Sequence, residues 1–349
     1  MSRGKILAID IGGGTQDILL YDPDKSLENC YKLVLPSPTV MIAQQIREVT
    51  ARQLPLYLSG YLMGGGACMK AVREHLQAGL KVYADIEAAK TFNDDLEKVK
   101  GLGLIIGSGV PVEAVEVKTG DLCREALTGS LAMFGVELPT RWAVAVQDHG
   151  EAKGKSNRLF RFEHWRNFII GEGKLEQLAY TQIPSYLTRM QAVQNQMFQS
   201  QIIETLLMDT GPAAVWGSLE DPIVEAQREK GVIIVNVGNQ HTFGVLLQGE
   251  RVWGLFEHHT RQLTGEELAE WVNLLHQGKL TNEQIFQAGG HGCFIHPEYL
   301  PFSSTTMVVL VGPQREKAAG NGWYQAAPGG DMMLTGCFGL VKAACKVWV

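Results

Sequence analysis

The residues best suited to chemistry lie near the start of the chain, in the run Asp10-Ile11-Gly12-Gly13-Gly14-Thr15-Gln16-Asp17. Consecutive glycines between two apolar runs let the backbone take positive φ and aim successive N–H groups at an anion. A carboxylate at the strand end, Asp10, can hold a hydrated Mg²⁺. The same residues also make a glycine-rich hairpin with a turn-stabilising Asp. A second run, Asn236-Val237-Gly238-Asn239-Gln240-His241-Thr242, has the same grammar with amides in place of the carboxylate. Asn236 can reach a metal through its amide oxygen but brings no charge. Between them, the apolar run Trp142 to Val146 switches abruptly to Gln147-Asp148-His149-Gly150. A carboxylate or amide there can orient an attacking water or hydroxyl, or simply cap the strand. Glu257-His258-His259 and Gly289-Gly290-His291-Gly292-Cys293 add Glu, His and Cys. These types serve a polar substrate pocket, an ordinary loop or core, or zinc or iron, though His291-x-Cys293-x-x-His296 is not a standard structural zinc spacing. Val308 to Val311 runs into Gly312-Pro313, a strand-to-helix turn.

The elements that carry these residues are partly dictated by an internal repeat. Residues 5–21 align without a gap on residues 231–247, at a constant offset of 226. Each copy reads as a buried strand, a Gly/Asn turn and a second strand, and a third follows at Tyr31 to Leu35 or Val252 to Phe256. Each is a β-meander. A helix over Thr39 to Gln53, a strand at Leu56 to Ser59 and a helix opened by Gly64-Gly65-Gly66 follow the first. A helix over Thr264 to His276 and a strand at Thr306 to Val311 follow the second, and Pro328-Gly329-Gly330-Asp331 opens a final helix. The stretch Arg158 to Leu207 reads as an inserted helical block. The pattern predicts an α/β protein with mixed sheets in both halves.

Two such hairpins, each beginning an α/β half, resemble the actin, heat-shock-protein and sugar-kinase ATPase superfamily. The resemblance implies two similar actin-like (ribonuclease H-like) domains, each a mixed sheet with a three-stranded meander, around an interdomain nucleotide cleft. The expected division is 1–225 and 226–349, with a helical insertion near 158–207 and the last helix crossing back to the first domain. It implies ATP and Mg²⁺ as cofactors, with Gly12, Gly13, Gly14, Thr15, Gly238, Asn239, Gln240, His241 and Thr242 on the phosphates and Gly312 against the adenosine. Asp10 and Asn236 would hold the metal, and Gln147, Asp148 and Asp10 would be catalytic. His149, Glu257, His258, His259, His291 and Cys293 would form the acceptor site. The full motif set looks like a bacterial and archaeal branch of that superfamily, some members of which carry the label of pyruvate formate-lyase activating proteins. The implied function is an ATPase or small-molecule kinase. A nucleotide-dependent regulator of a partner protein and a metal-dependent enzyme using the His/Cys cluster are the competing readings.

Composition narrows the rest. With 31 Lys and Arg against 37 Asp and Glu the net charge is -6, and no basic run suits a phosphate backbone, so nucleic acid is not an expected partner. The expected partner is a small molecule or another protein. No stretch is apolar enough over the length of a bilayer, and no signal-peptide pattern opens the chain, so a cytoplasmic protein without membrane contact is expected. The six cysteines stand singly, without C-x-x-C, which fits reduced thiols and lacks the triplet an iron–sulfur activase needs.

Overall fold

The computed structural model describes residues 4–107, 109, 111–151, 156–198 and 204–348. Positions 199–203 of the expected helical block therefore lie outside the described residues. Apolar runs broken by glycine turns give the first three strands, β1 (Ile6–Ile11), β2 (Thr15–Tyr21) and β3 (Tyr31–Pro36). A helix, Pro38–Ala51, leads to β4 (Leu56–Gly60), and β5 (Val82–Ala84), β6 (Leu104–Ile106) and β7 (Val115–Thr119) follow. Next come β8 (Arg141–Val146) and β9 (Glu204–Met208), then β10 (Val232–Val237), β11 (His241–Gln248) and β12 (Arg251–His259). The last strands are β13 (Gly292–Ile295), β14 (Met307–Val311) and β15 (Tyr324–Gln325).

The repeat is visible in the sheets. One has the order β3-β2-β1-β8-β9 and another β13-β12-β11-β10-β14-β15. In both, the meander is antiparallel and its first strand pairs in parallel with a later one, β1 with β8 and β10 with β14. Asp10 faces Asp17 across the first hairpin, and Asn236 faces Phe243 across the second. Both turns close with the same bond: Gly12 N–H donates to Thr15 O at 2.9 Å, and Gly238 N–H to His241 O at 2.9 Å. The fold class is therefore the expected one, α/β with two similar units, each a mixed sheet built on a three-stranded meander, with β13 as an extra edge strand on the second.

One core joins both sheets. The helices Thr210–Ser218 and Thr335–Val347 contribute Ala213, Val215, Phe338 and Leu340 to the same cluster as Ala8, Ala143, Val232 and Val309. They cross at backbone distance, which side chains would forbid. A Cβ on Gly217 would stand 1.7 Å from Thr335 O, and one on Gly339 1.9 Å from Ala213 O. The last helix packs on β1 and β2, and the Cys337 thiol donates to Asp17 O at 3.0 Å.

Three features differ from the sequence reading. A third, all-parallel sheet, β6-β5-β4-β7, has its own core of Ile46, Leu56, Leu58, Val82 and Val117. The central block holds two α-helices, Asn157–Ile170 and Thr188–Phe198, but its end, expected to be helical up to Leu207, is the strand β9. The final helix starts at Thr335 instead of Pro328, because Gly329 and Gly330 take φ of 55° and 73° and break it into short 3-10 turns. Among the described residues no helix is long and apolar enough to cross a membrane.

Candidate functional site

The two glycine hairpins meet. A Cβ on Gly13 would fall 2.1 Å from the Gln240 side chain, and one on Gly14 2.8 Å from Asn239 Nδ2. Gly12, Gly13 and Thr15 of one loop and Gly238, Asn239, Gln240 and His241 of the other line a single cleft of about 370 Å³. Its volume is in the range of small-molecule sites. Asn236 and Gly312 border it from the second sheet, and Gly64, Gly65 and Gly66 close it from the third. Gly14 holds the loop instead, its carbonyl accepting Ser37 N–H at 3.1 Å. Thr242 is fully buried with its hydroxyl 3.0 Å from that of Thr260, away from the cleft. Strand alternation explains this, since Thr242 follows His241 and points to the opposite face.

Asp10 and Asp17 leave their mark on the electrostatics. Oδ1 of each is sealed from solvent and has no hydrogen-bond partner. Burial, with the nearby Asp17 and Asp209 charges adding to it, pushes the Asp10 carboxyl well above its usual range. Burial also takes Asp17 up to about 7, against a Thr15 hydrogen bond and with Asp331 adding. Two unpartnered carboxylate oxygens at the edge of a cleft are a donor set for a hard cation, and they fit Mg²⁺.

The end of β8 delivers Gln147, Asp148 and His149. Asp148 lies buried, its two oxygens accepting Gly150 N–H at 2.8 Å and Met190 N–H at 2.9 Å. Burial raises its carboxyl to about 6, although these bonds and Arg189 oppose the shift. Gln147 Nε2 donates to Glu257 Oε1 at 2.5 Å. Glu257 in turn accepts from Arg161 Nε at 2.6 Å, and Arg161 Nη1 donates to Asp209 at 2.8 Å and to Asp148 O at 2.7 Å. Burial alone would raise the Glu257 carboxyl, but the guanidinium holds it well below the carboxylate range. Arg189 is a second clamp, donating to both Asp121 oxygens at 2.8 Å and to Gln147 O at 2.8 Å.

The histidine turns converge only in part. His149 Nε2 lies 3.0 Å from His291 Nε2, and the His241 ring sits 4.8 Å from that of His291. The His259 ring joins them, 4.7 Å from His291 and 4.9 Å from His241. Burial drives all four imidazoles toward the neutral form, with His241 at about 4 and His291 at about 3. His258 is elsewhere: its ring nitrogens bond to His259 O and Ala288 O and it packs against Trp271. Cys293 is also apart, its thiol bonding to Leu280 O at 3.5 Å and pushed up by burial. Of the residues expected to share a pocket, Gln147, Asp148 and His149 line the cleft, Glu257, His259 and His291 pack against Gln147, His149 and His241 beside it, and His258 and Cys293 are apart. The thiol of Cys293 is too enclosed to act as the thiolate of a His/Cys cluster.

Arg161, Asp209 and Arg189 were not singled out from the sequence. Arg161 carried one legible signal, a charge on the stripe that includes Trp165 and Ile169, the buried face of its helix.

Solved structures with related coordinates are remote in sequence. The chain covers 98% of a chain from the PilM-PilN type IV pilus biogenesis complex, with 98% of this chain aligned, 10% identity and a TM-score of 0.37. A Bacteroides thetaiotaomicron protein with actin-like ATPase fold and unknown function aligns over 92% of this chain and 87% of its own, at 8% identity and TM-score 0.32. The ethanolamine utilization protein EutJ from Carboxydothermus hydrogenoformans aligns over 98% and 90%, at 11% identity and TM-score 0.30. No curated protein matches the chain in sequence. Residues 63–317 match a family profile, and the chain belongs to that family, described as "Putative pyruvate format-lyase activating enzyme (DUF1786)".

Proposed function

We propose that the cleft binds ATP with Mg²⁺ and that the γ-phosphate passes to water or to a hydroxylated or anionic acceptor. The observation that carries this reading is the pair of equivalent hairpins, with the same turn bond and facing each other across one cleft, one of them bearing unpartnered carboxylate oxygens. Asp10, with Asp17 beside it, would organise Mg²⁺, and Asn236 would contribute an amide oxygen across the cleft. Backbone N–H groups of Gly13 to Thr15 and of Asn239 to His241 would take the phosphates, those of Gly12 and Gly238 closing the turns. Gly312, where a Cβ would crowd Asn236 Oδ1 at 2.5 Å, would leave room for the nucleoside. Gln147 would position the nucleophile, with its amide fixed by Glu257. Asp148 is better suited to holding that turn, since both its oxygens accept backbone N–H groups.

The competing reading is a nucleotide-dependent regulator of a partner protein. It is favoured by Asn236, which leaves the second loop without a carboxylate, and by Gln240, which occupies the space over Gly13. The activity in the family description, an activase of a radical enzyme, is not adopted. Its iron–sulfur cluster does not fit the cysteines: Cys68, Cys293 and Cys337 are buried and their thiols pushed up, and Cys123 stands exposed.

Isothermal titration with ATP in Mg²⁺ and in EDTA tests binding. Asp10→Ala should weaken the Mg²⁺-dependent part by about 1–3 kcal/mol, the range for a charge-assisted contact. Equal Mg²⁺-dependent affinity in a folded Asp10→Ala protein would overturn the assignment. Phosphate release with and without candidate acceptors then separates the enzyme from the regulator.

A further inference from the structure

We propose that His149, His241 and His291 form a binding site for one divalent transition-metal ion, of the zinc, iron or nickel kind, distinct from the Mg²⁺ position at Asp10. One ring nitrogen from each of the three lies within 4.8 Å of the others. Three imidazole nitrogens around a tetrahedral ion at 2.0–2.1 Å stand about 3.4 Å apart. The His149–His291 pair, at 3.0 Å, is already inside that spacing. The gap left to His241 is at most that between about 3.4 Å and 4.8 Å.

The ligands come from three fixed positions. His149 follows β8, His241 is the first residue of β11, and His291 directly precedes β13. His241 and His291 meet at one end of the second sheet because β11 pairs with β12 and β12 with β13, and the end of β8, in the first sheet, brings His149 against His291. Rigid elements hold a site more closely than free loops do. The surroundings also suit a cation. Arg161 is paired with two carboxylates, Glu257 and Asp209, so the network beside the imidazoles carries an excess negative charge.

Ligand chemistry sorts the two ions. Imidazole favours zinc, iron or nickel, whereas carboxylate and water favour Mg²⁺. His149 and His241 both line the cleft. Three protein ligands leave an open position facing it, where a water or a substrate oxygen can bind. His259, whose ring packs on His241 and His291, forms the outer wall of the site. This inference does not depend on nucleotide binding.

The experiment is a titration of the EDTA-stripped full chain with Co²⁺ in excess Mg²⁺, followed by visible absorption, with metal content of the isolated protein measured by mass spectrometry. The expected result is one Co²⁺ per chain, with the ligand-field spectrum of a four- or five-coordinate nitrogen site, displaced by Zn²⁺ but not by Mg²⁺. His149→Ala and His241→Ala should each weaken Co²⁺ by more than the roughly 10–100-fold typical of losing an outer-shell partner. His258→Gln and Cys293→Ser should retain binding, and Asp10→Ala should retain the stoichiometry, which separates this site from the Mg²⁺ assignment. His291→Ala removes a buried side chain; the two cleft-facing variants carry the test if it does not fold. Absence of stoichiometric Co²⁺, binding that survives both His149→Ala and His241→Ala, or binding lost in Cys293→Ser would each overturn the proposal.

Discussion

Replacing Arg161 with Met is the most informative perturbation of the architecture. The guanidinium donates to Glu257 at 2.6 and 3.2 Å, to Asp209 at 2.8 and 3.2 Å, and to Asp148 O at 2.7 Å. Arg161 and Glu257 are 3% and 1% exposed in their side chains, so solvent cannot take over when the cation leaves. Breaking a buried pair from one side costs about 3–5 kcal/mol. A second route bounds the figure. The variant can relieve the stranded charge by protonating one carboxyl, which at pH 7 costs about 3.7 kcal/mol for a group with an unfolded pKa of about 4.3.

That escape fixes the pH dependence. In the wild type the Glu257 pKa is depressed, so its contribution is present above the unfolded value and is lost as pH falls below it. In the variant a carboxyl pKa is raised, so its penalty grows with pH and shrinks on acidification. The difference between the two proteins should therefore fall by about 1.4 kcal/mol per pH unit between pH 7 and about 4.5. Urea unfolding at pH 7 and pH 5.5 measures it, and His149, His241 and His291, which Arg161 helps to hold down, take up protons more readily in the variant and add to the fall. A penalty under about 1 kcal/mol, the range of exposed pairs, would refute the claim that the network is desolvated. So would a penalty that stays constant with pH.

Gly339→Val should destabilise by at least the roughly 1–3 kcal/mol of overpacking, since the obstacle is Ala213 O in the backbone; an unchanged Tm would refute the helix crossing. The His291 imidazole is held down at about 3, so stability should be full above about pH 6.5 and fall by up to about 1.4 kcal/mol per unit below it. His291→Gln should remove its share of that slope in chemical denaturation while His149, His241 and His259 keep theirs, and an unchanged slope would refute the assignment. Asn236→Asp places a carboxylate opposite Asp10 and should tighten Mg²⁺-dependent ATP binding in titration. Unaltered Mg²⁺ dependence would separate Asn236 from the metal.

The hairpins were legible because an ungapped repeat preserves turn geometry along with residue type, and Gly12 and Gly238 close their turns in the same way. The third sheet was not, because β5 and β6 are three residues each, too short to leave a period. The histidine site was legible in residue types but not in membership. Adjacent strand residues face opposite ways, so Glu257 and His259 turn toward Gln147 and His241 while His258 turns to Trp271. Arg161 depends on a partner 96 residues away, and no local pattern records that distance.

The repeat also accounts for how the two halves divide their work. Asp10 and Asp17 face each other in the first hairpin, and the equivalent pair in the second is Asn236 and Phe243. Of the two hairpins only the first therefore brings carboxylates to the cleft, and on the proposed reading a dication bridging to phosphate would sit on that side. The second copy spends the equivalent position on packing. Phe243 lies 5.7 Å from Trp165, and the Arg161 guanidinium lies 5.2 Å over that same indole. Losing the second acid thus supplies the apolar support for the helix that carries Arg161. Through Glu257, Arg161 sets the position of Gln147 and the charge beside the histidines. One copy of the hairpin holds the charge at the cleft, and the other braces the network that aims side chains into it.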